Sequence, residues 1–149
     1  MGDQTTNKMS YRVEVPGFKQ GAVKRHGCPS HGIGLTPDET QVWVCDAFNQ
    51  QMHVFDATIT PPLLIDRIKV RDEPDWITFS LDGTFAYPST GDIIDVSSRK
   101  IVGGLSDETG SGVQSEKMVE IQFDTTTKSV LRTGDQFGLG RVTTSVTPP

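Results

Sequence analysis

Three side chains able to do acid–base or metal chemistry fall at one place in a repeating pattern: His31, Asp75 and Glu116. An imidazole nitrogen with two carboxylates suits zinc, iron or manganese, carboxylates alone suit calcium, and each group can carry a proton. Trp76 and Lys117, each next to one of these acids, add a stacking face and an anion contact. A second cluster lies at "HGCPSH", which puts His26, Cys28 and His31 within six residues, with Cys45 further on. Its spacing fits neither the paired C-x-x-C of structural zinc sites nor the C-x-x-C-H of haem attachment. The segment therefore reads as a Gly- and Pro-containing loop between strands. Cys28 and Cys45, 17 residues apart, read as reduced, half-buried thiols.

The pattern that ties the trio together is an internal repeat. "SHGIGLTPDETQVW" at residues 30–43 aligns with "PDWITFSLDGTFAY" at 74–87, placing His31 on Asp75, Ile33 on Ile77, Leu35 on Phe79, Asp38 on Asp82 and Trp43 on Tyr87, an offset of 44. The copies go on as "VFDA" and "IIDV", with Asp56 on Asp95, so the second is five residues shorter through one hairpin. A third copy is expected from "SEKMVEIQFD", with Glu116 in the place of Asp75 at an offset of 41. A fixed period of this size marks a repeat architecture.

Each copy carries a strand period. In "VEIQF", Val119, Ile121 and Phe123 share one face and Glu120 and Gln122 the other. "QVWVCD" and "QMHVFD" are β-branched and aromatic runs closed by polar turn residues. Asp38 and Asp82 fall at hairpin corners, where a short carboxylate accepts backbone N–H bonds and Gly83 can take positive φ. Both aspartates are expected to be structural. Ser89 and Thr90 lie in "YPSTGD", which lacks the G-x-S-x-G elbow and reads as a tight hairpin rather than a nucleophile loop. His53, mid-strand, is expected to pack or face solvent.

A unit of this length with four short strands is a β-propeller blade, and 15 Gly and 9 Pro scattered between apolar runs agree with many turns. The fold expected is all-β, with blades of four antiparallel strands. In the first full copy the strands run from His31 to Leu35, Val42 to Cys45, Met52 to Phe55, and through "LLIDRIKV"; "YRVEV" at 11–15 would be the outer strand of a preceding blade. Residues 1–9 then form a disordered or linking segment, 10–140 a partial propeller and 141–149 a flexible tail. The partial propeller divides into a blade remnant at 10–29, blades at 30–73 and 74–114, and a partial blade at 115–140.

The net charge of −5 argues against a nucleic-acid partner, since a phosphate-binding surface needs clustered Lys and Arg. No run of about 18 apolar residues is present to span a membrane. The opening "MGDQTTNKMS" is polar and has no apolar core of a signal peptide.

"SHGIGLTPDETQVWVCDAFNQQMHVFDA" and "EPDWITFSLDGTFAYPSTGDIIDV" resemble the YVTN-type β-propeller repeats of the lactonase-like and quinoprotein-dehydrogenase-like propellers. The pattern is departed from at Glu39, where Gly is usual, at Leu81, where Pro is usual, and at Asp46, where Asn is usual. The resemblance covers about residues 10–140 and implies about three blades of a larger ring of roughly six to eight. It implies partners in the remaining blades or in self-association, and places ligands at the central channel, near the heads of the innermost strands. Proteins of this family are often extracytoplasmic. Two functions follow as expectations. One is a scaffold or binding module that takes a protein or small molecule at one rim, with Trp76 and Lys117 as contacts. The other is a lactonase-like hydrolase, in which a divalent metal on His31, Asp75 or Glu116 activates water. A quinone-dependent oxidoreductase is a variant of the second.

Overall fold

The computed structural model describes residues 2–3, 5–17 and 31–134. Among these every regular element is a strand, and no helix is long and apolar enough to cross a membrane. In chain order they are β1 (Gly2–Asp3), β2 (Lys8–Met9), β3 (Ile33–Leu35), β4 (Gln41–Asp46), β5 (Gln51–Asp56), β6 (Leu63–Lys69), β7 (Ile77–Phe79), β8 (Phe85–Pro88), β9 (Asp92–Asp95), β10 (Lys100–Gly104), β11 (Ile121–Phe123) and β12 (Val130–Thr133). β3 to β6 form one antiparallel four-stranded sheet and β7 to β10 another, each laid down in sequence order. β11 and β12 pair as a hairpin, as do β1 and β2 within the segment expected to be a linker.

The period-2 pattern decides which faces meet. Trp43, Cys45, Met52, Val54 and Ile68 of the first sheet are buried against Ile77, Phe79, Ala86 and Ile94 of the second. The Trp43 and Phe79 rings meet edge to face, 5.7 Å apart at 88°. Gly34 makes this contact possible: a Cβ there would lie 2.9 Å from both Ile77 and Phe79, closer than packed atoms tolerate. The sheets therefore touch along their first strands, β3 and β7.

Backbone hydrogen bonds fix the repeat. Thr36 N donates to Gln41 O, Ser80 N to Phe85 O and Asp124 N to Ser129 O, at 2.9, 2.8 and 2.8 Å, each 44 residues after the last. Side chains reinforce the first two corners. The Thr36 and Ser80 hydroxyls each donate to Asp38 or Asp82 Oδ1 at 2.6 Å, and the same oxygens accept from Thr40 and Thr84 N. Gly83 takes φ 75°, and Glu39 carries φ 61° in the other corner, a left-handed conformation that Gly adopts at less cost. "YPSTGD" is a tight turn closed by Gly91 N donating to Pro88 O at 2.9 Å.

Two regions depart from expectation. Tyr11 to Val15 joins no strand ladder among the described residues, although its alternation is real. Val13 and Val15 instead lie over the outer face of the first sheet, where a cavity of about 180 Å³ separates them from Ile33, Val42 and Val44. The third hairpin is closed by Gly134 N donating to Glu120 O at 2.9 Å and is anchored to the second blade at Leu81, whose N donates to Glu120 Oε2 at 2.7 Å and whose O accepts from Arg132 Nη2 at 3.5 Å. A gap of about 300 Å³ lined by Thr78, Tyr87, Leu105 and Met118 separates the hairpin from the second sheet. Phe123, in register with Phe79, is 52% exposed where Phe79 is 1% exposed.

Candidate functional site

The heads of the inner strands gather residues from three places in the chain. His31 Nδ1 lies 3.2 Å from the Asp75 carbonyl oxygen, and the His31 and Trp76 rings are 6.0 Å apart, tilted by 52°. Lys117 Nζ sits 4.0 Å from the Trp76 ring centroid, a cation–π contact. Trp76 is half-buried, while His31 and Lys117 are exposed. If Nδ1 donates to the carbonyl, the other ring nitrogen is an acceptor in neutral imidazole and a donor when protonated. The cluster thus offers one permanent cation, one titratable group and a flat aromatic surface.

Ser89 supports this head from below. Its buried hydroxyl accepts from Asp75 N at 2.9 Å and from Trp76 N at 3.3 Å. Gly32 lets the two strand heads come together, since a Cβ there would sit 2.5 Å from Asp75 O and 2.9 Å from Cys45 Sγ. Asp75 is buried, and its charge adds to the burial that pushes the Cys45 thiol pKa up. Cys45 is fully buried rather than half-buried; His26 and Cys28 lie outside the described residues.

The trio His31, Asp75 and Glu116 is not one set of equivalent positions. Gly32 O, Trp76 O and Glu120 O accept from Cys45, Ser89 and Gly134 N at 2.9 Å each, so Glu120 is the counterpart of Trp76 and Val119 that of Asp75. The expected offset of 41 placed the third copy three residues too early, and Glu116 belongs to the segment that leads into it. Among the described residues, no three His, Cys, Asp or Glu side chains gather as a metal-ligand group.

A further buried polar constellation involves His53, which was expected to pack or face solvent and is buried against Asp46. Asp46 Oδ2 lies 2.9 Å from His53 Nε2, with both side chains almost wholly buried. Asn49 donates to Asp46 from its backbone N at 3.0 Å and from Nδ2 at 2.7 Å. His53 Nδ1 is buried without a hydrogen-bond partner among the described residues. In the second sheet the same two places are held by Thr90 and Asp92, whose side chains hydrogen-bond at 2.7 Å. A polar pair at the β4–β5 and β8–β9 turns is therefore part of the blade, and the acid five residues before the strand "QMHVFD" was its signal.

No family model and no curated protein sequence matches the chain. Among solved structures it is similar to the propeller-like hydrazine synthase of Kuenenia stuttgartiensis, at 25% identity and TM-score 0.59, covering 90% of this chain and 38% of that one. It also overlaps a 6-phosphogluconolactonase-type protein of Bacteroides uniformis, at 13% identity and TM-score 0.44, over 68% of this chain and 39% of that one. The Neurospora crassa Pan2 WD40 domain overlaps at 13% identity and TM-score 0.41, over 74% of this chain and 38% of that one. The chain spans well under half the length of these structures. The repeated four-stranded sheets, joined along their first strands, define an all-β fold of β-propeller blades.

Proposed function

We propose that this chain is a binding module of a YVTN-type β-propeller, in a ring that further blades complete. Its ligand would rest on the rim formed by His31, Trp76 and Lys117. The observation that supports this is the convergence on one half-buried indole of a lysine and a histidine from separate parts of the chain. Such a surface suits a planar group bearing a carboxylate, with the ring stacked near Trp76 and the anion near Lys117 and the His31 ring.

Benzoate is a suitable probe. Of the two tryptophans Trp43 is wholly buried, so a change in tryptophan emission on adding benzoate reports on Trp76. Saturable quenching by benzoate, weakened at least about tenfold in Lys117→Ala, is expected from the loss of one charge-assisted contact. Linear quenching that is unchanged in the variant would exclude the rim as the binding surface.

A further inference from the structure

We propose that Arg71 is the positioning residue of the rim, fixing the segment that carries Lys117 onto Trp76. The proposal rests on the reading of that rim as a binding surface, and it names the residue that decides whether Lys117 stands over the ring.

Arg71 follows the last strand of the first blade, and its side chain reaches into the second. Its Nε donates to Thr90 O, its Nη2 donates to Val113 O at 2.7 Å, and its backbone N donates to Asp92 Oδ2 at 3.1 Å. A planar guanidinium with donors in a fixed fork suits two carbonyls that come from separate turns, and its charge strengthens both bonds. Three glycines make room for it. A Cβ at Gly112 would lie 2.7 Å from Arg71 Nη1, one at Gly104 3.8 Å from the same atom, and one at Gly91 2.1 Å from Nη2 and 1.9 Å from Val113 O.

From Val113 onward the chain is tied down step by step toward the rim. Val113 N donates to Leu105 O at 3.0 Å, Gln114 Nε2 to Asp72 Oδ2 at 2.7 Å and Ser115 N to Ser89 O at 2.9 Å. Ser89 is also the residue whose hydroxyl accepts from Asp75 and Trp76 N, so the lysine-bearing segment and the tryptophan hang on one residue. Ser115 Oγ then donates to Lys117 O at 2.8 Å and accepts from Lys117 N at 3.3 Å. Lys117 Nζ is thereby delivered to 4.0 Å from the Trp76 ring centroid. An exposed lysine on a free loop would lose both backbone and side-chain freedom in holding that place. Anchoring at Arg71 removes the backbone part before any ligand arrives.

The test is a double-mutant cycle on the full chain, read by Trp76 emission without ligand and by benzoate quenching. Lys117→Ala takes the ammonium off the ring and is expected to shift the ligand-free emission. Arg71→Ala is expected to reproduce that shift and to weaken benzoate about tenfold, as Lys117→Ala does. In the double variant the loss should stay about tenfold, where independent sites would give roughly a hundredfold. Gly112→Ala, which crowds Nη1 and keeps the charge, is expected to act in the same direction. Emission shifts and affinity losses that add in the double variant would overturn the proposal, because Arg71 would then act on the fold and not through Lys117. Parent-like emission in Arg71→Ala would overturn it as well, and so would loss of the β signal in far-UV circular dichroism in both Arg71→Ala and Gly112→Ala. Coupled emission in a chain that benzoate does not quench saturably supports the positioning role and rejects the rim as a binding surface.

Discussion

At the scale of single residues, buried Asp46 and His53 and half-buried Asn49 form a network that ties down the β4–β5 turn. Its acid accepts from Asn49 N and Asn49 Nδ2 and lies 2.9 Å from His53 Nε2. Removing the carboxylate leaves the buried His53 Nε2 without its partner, whereas the half-buried Asn49 Nδ2 still donates to Gly17 O at 3.2 Å, and an unpaired buried polar group is what makes such a loss costly. Asp46→Ala is expected to destabilise the chain by about 3 kcal/mol in urea unfolding, with Asn49→Ala costing less because Asp46 keeps its imidazole. An Asp46→Ala variant as stable as the parent would show that the network carries no weight. This network was hidden in the sequence because Asp46 and His53 meet only after the hairpin folds, and the second copy holds different residues, Thr90 and Asp92, in the same places. The rim residues Trp76 and Lys117 were visible as types; their stacking was not, because Lys117 comes from outside the repeat.

At the scale of elements, the hairpin corners follow from the sequence with little left over. Asp38 and Asp82 each accept a hydroxyl and a backbone N–H, and each carboxyl is held below its ordinary pKa of 3.8, first by the hydrogen bond from Thr36 or Ser80 and then by that from Thr40 or Thr84 N. Because the folded pKa is the lower one, this contribution to stability is fully present above the unfolded value and is lost as pH falls through the folded value. The melting temperature is therefore expected to hold from neutrality to about pH 5 and to fall below about pH 4. The double variant Asp38→Asn, Asp82→Asn should be less stable at neutral pH and show a shallower acid decline. An identical acid profile in the two proteins would place the titration elsewhere. The first two copies align at an offset of 44 because both carry a hydroxyl, an aspartate and a threonine at the corner. The third has Asp124 and Thr126 in a different arrangement and two glutamates, Glu116 and Glu120, ahead of its strand. Side-chain type alone favoured Glu116, and only the backbone bond from Gly134 to Glu120 settles the register.

At the scale of the whole molecule, the described residues form two full blades and a hairpin laid down in sequence order. The junction between the two full sheets is sealed by Trp43 and Phe79, while Ile33, in register with Ile77, and Phe123, in register with Phe79, stay exposed. The blade repeat was legible because its apolar period and corner chemistry recur; the open ends were not, since burial depends on what lies alongside and not on residue type. Amide hydrogen exchange tests the blade account most directly. Protection of β4, β5, β8 and β9, which line the sealed junction, should exceed that of β11 and β12, whose apolar residues stay exposed. Exchange at β11 and β12 as slow as at β4 and β5 would contradict the account.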